Sequence, residues 1–309
     1  MHMIYDMLIV GAGCAGLGGA MYAGRLGMKV LVLGGDLRGG TITLTHLVEN
    51  YPGFISLSGM ELATKLEEHA RAYPTVEIKD EKVGKIERKK DGTFAITSDA
   101  GKYEAKTILY ATGTEWKKLG VKGEKEFANR GVHYCALCDG AFYKGKVAAV
   151  IGGSDTAAKD ALVLTQWASK VYIIYRGEKI RPEPVNYERV MKNPKIEVIG
   201  NTNVLEIYGE KKVTGVLLDR PYKGSEKFPL DVAFVAIGHT PLSKLAEDAG
   251  AGIDAKGYVK ISRDSETSVP GFFAAGDVTD TRFKQAIVGV GEAVEAVYSA
   301  YLYLEGKKG

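Results

Sequence analysis

The chain has 309 residues, 45% of them hydrophobic, which is enough for two packed domains. Basic residues number 41 and acidic ones 38, for a net charge of +3 without a long block of either sign, so nucleic acid and membrane surfaces are not expected partners. No apolar run approaches the roughly 20 residues of a spanning helix, the N-terminus lacks a basic signal region, and three cysteines are too few for a disulfide scaffold, which points to a reducing cytoplasm.

In chain order, Met7-Leu-Ile-Val10 predicts a strand, Gly11-Ala-Gly-Cys-Ala-Gly16 a loop, the stretch to about Gly27 a helix, and Lys29-Val-Leu-Val-Leu33 a second strand. This is a βαβ unit carrying G-x-G-x-x-G. Gly11 allows the tight turn, Gly13 lets a pyrophosphate approach the backbone, and Gly16 allows close helix packing, with the helix N-terminus facing the phosphates. The acidic residue expected for the ribose is displaced: Asp36 comes slightly late, after Leu33-Gly-Gly35. Cys14 reads as a small packed residue of the loop. Residues 61–72 read as an amphipathic helix, and 76–105 as short antiparallel strands with a turn at Lys90-Asp-Gly92. Thr107-Ile-Leu-Tyr-Ala-Thr-Gly113 is another strand ending in glycine.

The pattern then restarts. Residues 146–151 are a predicted strand, Gly152-Gly-Ser-Asp-Thr-Ala157 a loop, 158–168 a helix and 170–174 a strand; further strands run through 219, and Val232–Gly238 repeats the strand-to-glycine ending. In the second loop Gly152 and Ala157 fit the ends of G-x-G-x-x-A, while Ser154 stands at the middle glycine. Arg176 and Arg181 follow the next strand. A carboxylate there would suit the free ribose of NAD, whereas arginines suit the 2′-phosphate of NADP(H); the bland alternative is a degenerate site with solvated arginines. Phe272-Phe-Ala-Ala-Gly-Asp277 and a helix over 285–304 close the chain, and that piece lacks strands of its own, so it is expected to rejoin the first domain.

Between the two loops lies His133-Tyr-Cys-Ala-Leu-Cys-Asp-Gly140. Two residues between Cys135 and Cys138 let the sulfurs meet, so the pair can cycle between dithiol and disulfide. Incidental buried thiols and a zinc site are the other readings; zinc needs four ligands, and only His133 is near in sequence. No metal is expected. Asp139 is placed to pass protons to and from the thiols or to cap a helix.

These motifs together resemble the low-molecular-weight, bacterial- and archaeal-type thioredoxin reductases. Gly11–Gly16, Val48-Glu-Asn-Tyr-Pro-Gly53, Ala111-Thr-Gly113, Cys135-Ala-Leu-Cys-Asp-Gly140, Gly152–Ala157, and Ala274-Ala-Gly-Asp277 with Gln285-Ala286 fall in family order across almost the whole chain. The resemblance implies an α/β fold of two Rossmann-like, three-layer ββα domains, the second inserted into the first. An FAD-binding domain would span 1–115 and resume at 244–309, with an NAD(P)H-binding and redox-disulfide domain at 116–243. It implies a cytoplasmic homodimer in which electrons pass from NADPH through FAD and Cys135–Cys138 to thioredoxin or a glutaredoxin-like protein.

The resemblance also places FAD on Gly11, Gly13, Gly16, Asp36, Thr41, Asn50, Val83, Ala111, Thr112, Gly113, Asp277, Gln285 and Ala286. It places NADPH on Gly152, Ser154, Asp155, Thr156, Ala157, Arg176 and Arg181. Cys138 would be the sulfur nearest the flavin, Cys135 the one that attacks the partner, and Asp139 the acid-base residue. The crossings near 116–118 and 239–241 would be hinges. Three departures stand out: Ser154 for glycine, Tyr175-Arg-Gly-Glu-Lys-Ile-Arg181 for His-Arg-Arg-x-x-x-Arg, and Lys284 for arginine. The first two leave room for a donor such as reduced ferredoxin or deazaflavin; a flavoprotein redox sensor without turnover is the reading from another class.

Overall fold

In the computed structural model, which describes residues 4–35 and 37–306, the chain divides into two units, Met1–Glu115 with Pro241–Gly309, and Trp116–Thr240. The first opens with β1 (Ile4–Val10), α1 (Cys14–Arg25), β2 (Val30–Leu33), α2 (Gly59–Arg71), β3 (Val76–Lys79), β4 (Val83–Arg88), β5 (Phe94–Ser98) and β6 (Lys102–Tyr110). A short strand, β7 (Thr114–Trp116), leads into the second unit. There follow β8 (Val132–His133), α3 (Ala136–Asp139), β9 (Val147–Ile151), α4 (Asp155–Leu164), β10 (Lys170–Ile174), α5 (Pro184–Lys192), β11 (Ile196–Ile199), β12 (Val204–Gly209), β13 (Val213–Tyr222), β14 (Ser225–Pro229) and β15 (Val232–Val235). The chain returns through β16 (His239–Pro241) to α6 (Lys244–Asp248), β17 (Phe272–Ala274) and α7 (Ala286–Leu304).

The first unit is built on a seven-stranded sheet in the order β3-β2-β1-β6-β5-β4, with β17 beside β6. The strands β3, β2, β1, β6 and β17 are parallel. Parallel strands covered on both faces read as unbroken apolar runs, as in the fully buried Met7-Leu-Ile9 of β1. One face packs on α1 and α7 through Leu17, Ala20, Ala293 and Val297. The other buries Phe94, Tyr110 and Phe272, whose rings meet at 5.8 and 5.9 Å. Truncating Phe272 to alanine would cost about 3–5 kcal/mol. The second unit repeats this plan, with a parallel sheet β11-β10-β9-β15-β8 between helix and antiparallel β12-β13-β14. Ala157, Ala161 and Leu164 of α4 cover one face, and Ile207, Val216 and Leu218 the other. Both units are Rossmann-like.

Four sequence expectations change. Segment 76–105 is not wholly antiparallel, because β3 lies parallel to β2 as the edge of the βαβ crossover that α2 completes. Helix α2 starts at Gly59, two residues early, because Ser58 and Glu61 form a capping box: the Glu61 N–H donates to Ser58 Oγ at 3.1 Å, and the Ser58 N–H to Glu61 Oε2 at 2.7 Å. Helix α4 runs from Asp155 to Leu164 rather than 158–168. Helix α7, at 19 residues, is long and apolar enough by length and composition to cross a membrane. This corrects the expectation that no apolar run approaches a spanning length; Ala293, Ala296, Val297 and Ala300 of the helix are buried in the core beside α1, and most of its other residues are partly buried or exposed.

Candidate functional site

The first glycine loop leaves β1 through Gly11, whose φ of +108° is open to glycine at little cost. A Cβ there would fall 2.3 Å from the Ala111 carbonyl oxygen, and one at Gly16 would fall 1.9 Å from that of Gly11. The turn is thus pressed between α1 and the end of β6, beside Ala111-Thr112-Gly113. Gly13 is different. It caps α1 in extended backbone without a side-chain hydrogen bond, and an added Cβ would meet nothing nearer than the Gly40 Cα at 3.8 Å. The protein does not fill this space, and the first turn of α1 carries no acidic residue. A helix N-terminus and room at Gly13 suit a pyrophosphate, so the residues present fit the dinucleotide. Thr41 lies exposed in the turn after Gly40, and Val83 begins β4 within the core. Asp36 lies outside the described residues.

A second segment converges on the start of α1. After β17, the Ala275 N–H donates to the Tyr110 carbonyl at 3.0 Å, and the Gly276 N–H to Glu292 Oε2 at 2.8 Å. Asp277 follows, close enough that its charge, after burial, helps push the Cys14 thiol up to about 12. Cys14 therefore stays a protonated, unreactive thiol near neutrality. Burial and Asp277 likewise raise Tyr258. Lys284 lies over the Tyr258 ring at 4.3 Å and donates to the Thr279 carbonyl. Burial lowers its ammonium against the pull of Asp277, Glu292, Asp280 and Asp254. Helix α7 starts at Ala286 with Gln285 as an N-cap that makes no side-chain cap bond. Gln285 Oε1 instead accepts from Asn50 Nδ2 at 2.9 Å, which joins segments 235 residues apart.

In the second unit, Cys135 and Cys138 form a disulfide across Cα atoms 5.4 Å apart. Cys135 is buried and caps the four-residue α3, with its Sγ accepting the Cys138 N–H at 3.1 Å; Cys138 is the exposed residue of the pair. Asp139 Oδ2 comes within 2.9 Å of His133 Nδ1, though not aligned as a hydrogen bond. The other ring nitrogen, Nε2, is 2.8 Å from the Tyr143 hydroxyl, and the ring stacks on Phe234. Burial and then Asp139 raise the Tyr143 phenol. Sequence reasoning weighed His133 only as a metal ligand and passed over Tyr143. Their signal was position: both flank the cysteine run. It also passed over Phe142, an aromatic ring 80% exposed four residues after Cys138. Among the described residues no group of three or more His, Cys, Asp or Glu side chains is arranged to hold a metal.

The second loop repeats the turn at Gly152, with φ +149° and a hypothetical Cβ 2.1 Å from the Ala236 carbonyl oxygen. Ser154 caps α4 in extended backbone, exposed and without a side-chain cap bond; Thr156 is exposed and Ala157 buried. Asp155 is occupied by the protein. It accepts from the Glu183 N–H and Asn186 Nδ2, both at 2.9 Å, and pairs with Lys159 at 2.8 Å. These partners overcome burial and hold its carboxyl below the usual range. It braces α5 against α4. Tyr175 lies across Gly153, where a Cβ would be 2.5 Å from its ring. The Tyr175 hydroxyl accepts from Arg181 Nη2 at 2.9 Å, while Arg176 stands exposed.

The family described as pyridine nucleotide-disulphide oxidoreductase matches residues 5–293. The curated thioredoxin reductase of Bacillus subtilis (strain 168) is 40% identical over 306 residues, covering 98% of this chain and 95% of the relative. Among solved structures, Lactococcus lactis thioredoxin reductase in its FR conformation superposes with a TM-score of 0.93 at 34% identity, covering 98% of this chain and 99% of the other. The thioredoxin reductase of T. acidophilum gives 0.91 at 38% identity and 98% coverage of both.

Proposed function

Because the chain belongs to the pyridine nucleotide-disulphide oxidoreductase family, we propose that it is an FAD-dependent thioredoxin-disulfide reductase that draws electrons from NADPH. The observation that carries this reading is the Cys135–Cys138 disulfide with Asp139 and His133 beside it. Bound FAD would supply the two-electron relay between the nicotinamide hydride and this disulfide.

The chain's residues divide the remaining work. Gly11, Gly13 and Gly16 hold the FAD pyrophosphate at the start of α1. Thr41, Val83, Ala111, Thr112 and Gly113 would line the rest of the nucleotide, Asn50 would lie near the flavin ring, Asp277 would hold the ribityl chain, and Gln285 and Ala286 would border the flavin. In the other unit, Gly152, Ser154, Thr156 and Ala157 receive the NADPH pyrophosphate over the α4 N-terminus, with Asp155 bracing that turn, and Arg176 and Arg181 supply the 2′-phosphate contacts. On this reading the unit Met1–Glu115 with Pro241–Gly309 would be the FAD-binding domain, and Trp116–Thr240 the NADPH-binding and disulfide domain.

Exposed Cys138 receives the electrons. Cys135 becomes the attacking thiolate, since its sulfur caps α3 and already accepts an N–H, features that stabilise negative charge. It attacks the partner disulfide, and Cys138 then resolves the mixed disulfide. Asp139 passes protons with His133 and Tyr143 behind it. Exposed Phe142 gives a thioredoxin or glutaredoxin-like partner an apolar anchor beside the sulfurs. The enzyme works as a cytoplasmic homodimer.

Cys135→Ser and Cys138→Ser test this reading. Each should abolish NADPH-dependent reduction of thioredoxin while leaving anaerobic reduction of the flavin intact, followed by absorbance. Normal thioredoxin turnover by either variant refutes the reading, as does purified protein that neither contains nor takes up FAD.

A further inference from the structure

A dinucleotide-binding βαβ unit ordinarily offers a carboxylate to the ribose hydroxyls from the end of its second strand, about 20 residues on from the glycine loop. Here β2 ends at Leu33, and Gly34 stands at that place. A side chain would be crowded there, because its Cβ would fall 3.0 Å from the Ala12 Cβ of the glycine loop. A carboxylate from another strand stands beside the same position. Asp80 Oδ1 lies 3.9 Å from where the Gly34 Cβ would be, within the reach of a glutamate side chain built on residue 34.

The sheet brings Asp80 there. β3 runs parallel to β2 with Leu33 opposite Lys79, so Asp80 follows β3 where Gly34 follows β2. The Gly34 N–H donates to the Lys79 carbonyl at 2.8 Å and the Gly35 N–H to the Glu81 carbonyl at 3.0 Å, one bond on either side of Asp80. Arg38 then sets the carboxylate: its Nε donates to Oδ1 at 2.7 Å and its Nη2 to Oδ2, while Nη1 reaches Glu67 Oε1 at 3.1 Å. A two-point guanidinium pair fixes the plane of a carboxylate, and each oxygen keeps a lone pair for a further donor. The Arg38 turn is itself tied to the glycine loop, since the Gly39 N–H donates to the Ala12 carbonyl at 2.9 Å. The neighbouring carboxylates are committed to the protein: Glu81 accepts from Ser98 and, at 2.7 Å, from Tyr103, and Glu77 accepts from Tyr5 at 2.8 Å.

We infer that Asp80, held by Arg38, is the ribose-binding carboxylate of the first unit: it accepts hydrogen bonds from the 2′- and 3′-hydroxyls at the adenosine end of FAD. This rests on FAD binding at the Gly11–Gly16 loop. The contact ordinarily made from β2 is thus made from β3, by a side chain that enters where Gly34 has no room for its own. Asp80 and Arg38 are both exposed, and an ion pair between exposed side chains contributes little to stability by itself. The pair therefore serves the ligand and not the fold, which gives it a distinct experimental signature.

The test titrates the full-length apoprotein with FAD and with the FAD analogue whose adenosine ribose is 2′,3′-dideoxy, read by the change in flavin fluorescence. The wild type should bind FAD at least ~10-fold more tightly than the analogue, the order of a hydrogen bond to a charged group. Asp80→Ala should raise the Kd for FAD by about that factor and leave the Kd for the analogue within about twofold. The melting temperature of its apoprotein should stay within about 2 °C of the wild type. Arg38→Ala should weaken FAD by a smaller factor and keep part of the discrimination, because the carboxylate remains but is no longer held. Wild-type protein that binds FAD and the analogue equally overturns the proposal and leaves the FAD reading standing; protein that binds neither overturns both. Equal losses for the two ligands in Asp80→Ala overturn the proposal, since Asp80 would then serve packing. So does loss of the discrimination in Asp36→Ala with its retention in Asp80→Ala. Should Asp80→Ala fail to fold, Asp80→Asn takes its place, and undiminished discrimination in that variant overturns the proposal equally.

Discussion

The two glycine loops make the same strand-to-helix turn and differ in what each position is for. In both, the first glycine has positive φ, +108° at Gly11 and +149° at Gly152. Both press on the carbonyl of the residue just past a neighbouring strand, Ala111 after β6 and Ala236 after β15, at 2.3 and 2.1 Å from a hypothetical Cβ. The fold itself demands glycine there. The third position splits. Gly16 has a carbonyl 1.9 Å from where a Cβ would stand, whereas Ala157 keeps its methyl, fully buried. The middle position differs most. Gly13 and Ser154 both cap their helices in extended backbone without side-chain cap bonds. Among the described residues a Cβ at Gly13 would meet nothing nearer than the Gly40 Cα at 3.8 Å. On the proposed function that space would take the FAD pyrophosphate, and Ser154 would encroach on its counterpart.

Substitutions at the first loop separate fold from ligand. The largest effect should come from Gly16→Ala. Its methyl has no room against the Gly11 carbonyl, and overpacking of this kind costs about 1–3 kcal/mol. We expect loss of most bound flavin and a lower melting temperature of the apoprotein, read by absorbance and calorimetry. Gly13→Ser should behave otherwise. The apoprotein should melt within about 2 °C of the wild type, as for a substitution with no clash, while the Kd for FAD rises at least ~10-fold, equivalent to about 1.4 kcal/mol. An apoprotein as unstable as Gly16→Ala would break the comparison, because Gly13 would then serve packing.

Much of this was legible in the sequence. Buried parallel strands leave unbroken apolar runs, and the restart of strand, glycine loop and helix at Lys146 marks the second unit. The cysteine run reads directly because its chemistry is local. Long-range pairings were not legible. Asn50 meets Gln285 across 235 residues, and no periodicity encodes that contact. The direction of β3 was missed because alternation gives a strand but not its partner. Asp155 sits at the phosphate turn in sequence, yet its Oδ1 faces α5 and its Oδ2 pairs with Lys159 of α4. Tyr175 reads as a lost histidine, while its ring covers Gly153 and its hydroxyl holds Arg181. His133 and Tyr143 lie ten residues apart and meet only because the chain folds back after α3.

At the second loop the comparison predicts ligand effects without fold effects. Arg176 and Arg181 are exposed, and Arg181 donates to the Tyr175 hydroxyl. Each would give the 2′-phosphate a charge-assisted hydrogen bond worth about 1.5–3 kcal/mol. Replacing both by alanine should raise the KM for NADPH at least ~10-fold and leave that for NADH nearly unchanged. Equal losses for both nucleotides would mean that the arginines hold the loop rather than the phosphate. Tyr175→Phe should then be informative: freeing Arg181 from the hydroxyl should lower the KM for NADPH modestly, without moving NADH.

The smallest and sharpest effect should come from Ser154→Gly, which converts the second loop into the first at its one ligand-facing difference. The serine hydroxyl makes no cap bond, so its loss should cost only a few tenths of a kcal/mol through backbone freedom. The melting temperature should barely move. Removing the side chain restores the close backbone approach that Gly13 has, and the pyrophosphate is common to both nucleotides. KM should therefore fall two- to fivefold for NADPH and NADH alike, about 0.4–1 kcal/mol, as read from steady-state flavin-dependent disulfide reduction. A fall for NADPH alone would place Ser154 beside the 2′-phosphate instead of the pyrophosphate. A rise for both would show that the serine hydroxyl binds the nucleotide, so that the second loop uses a side chain where the first uses backbone.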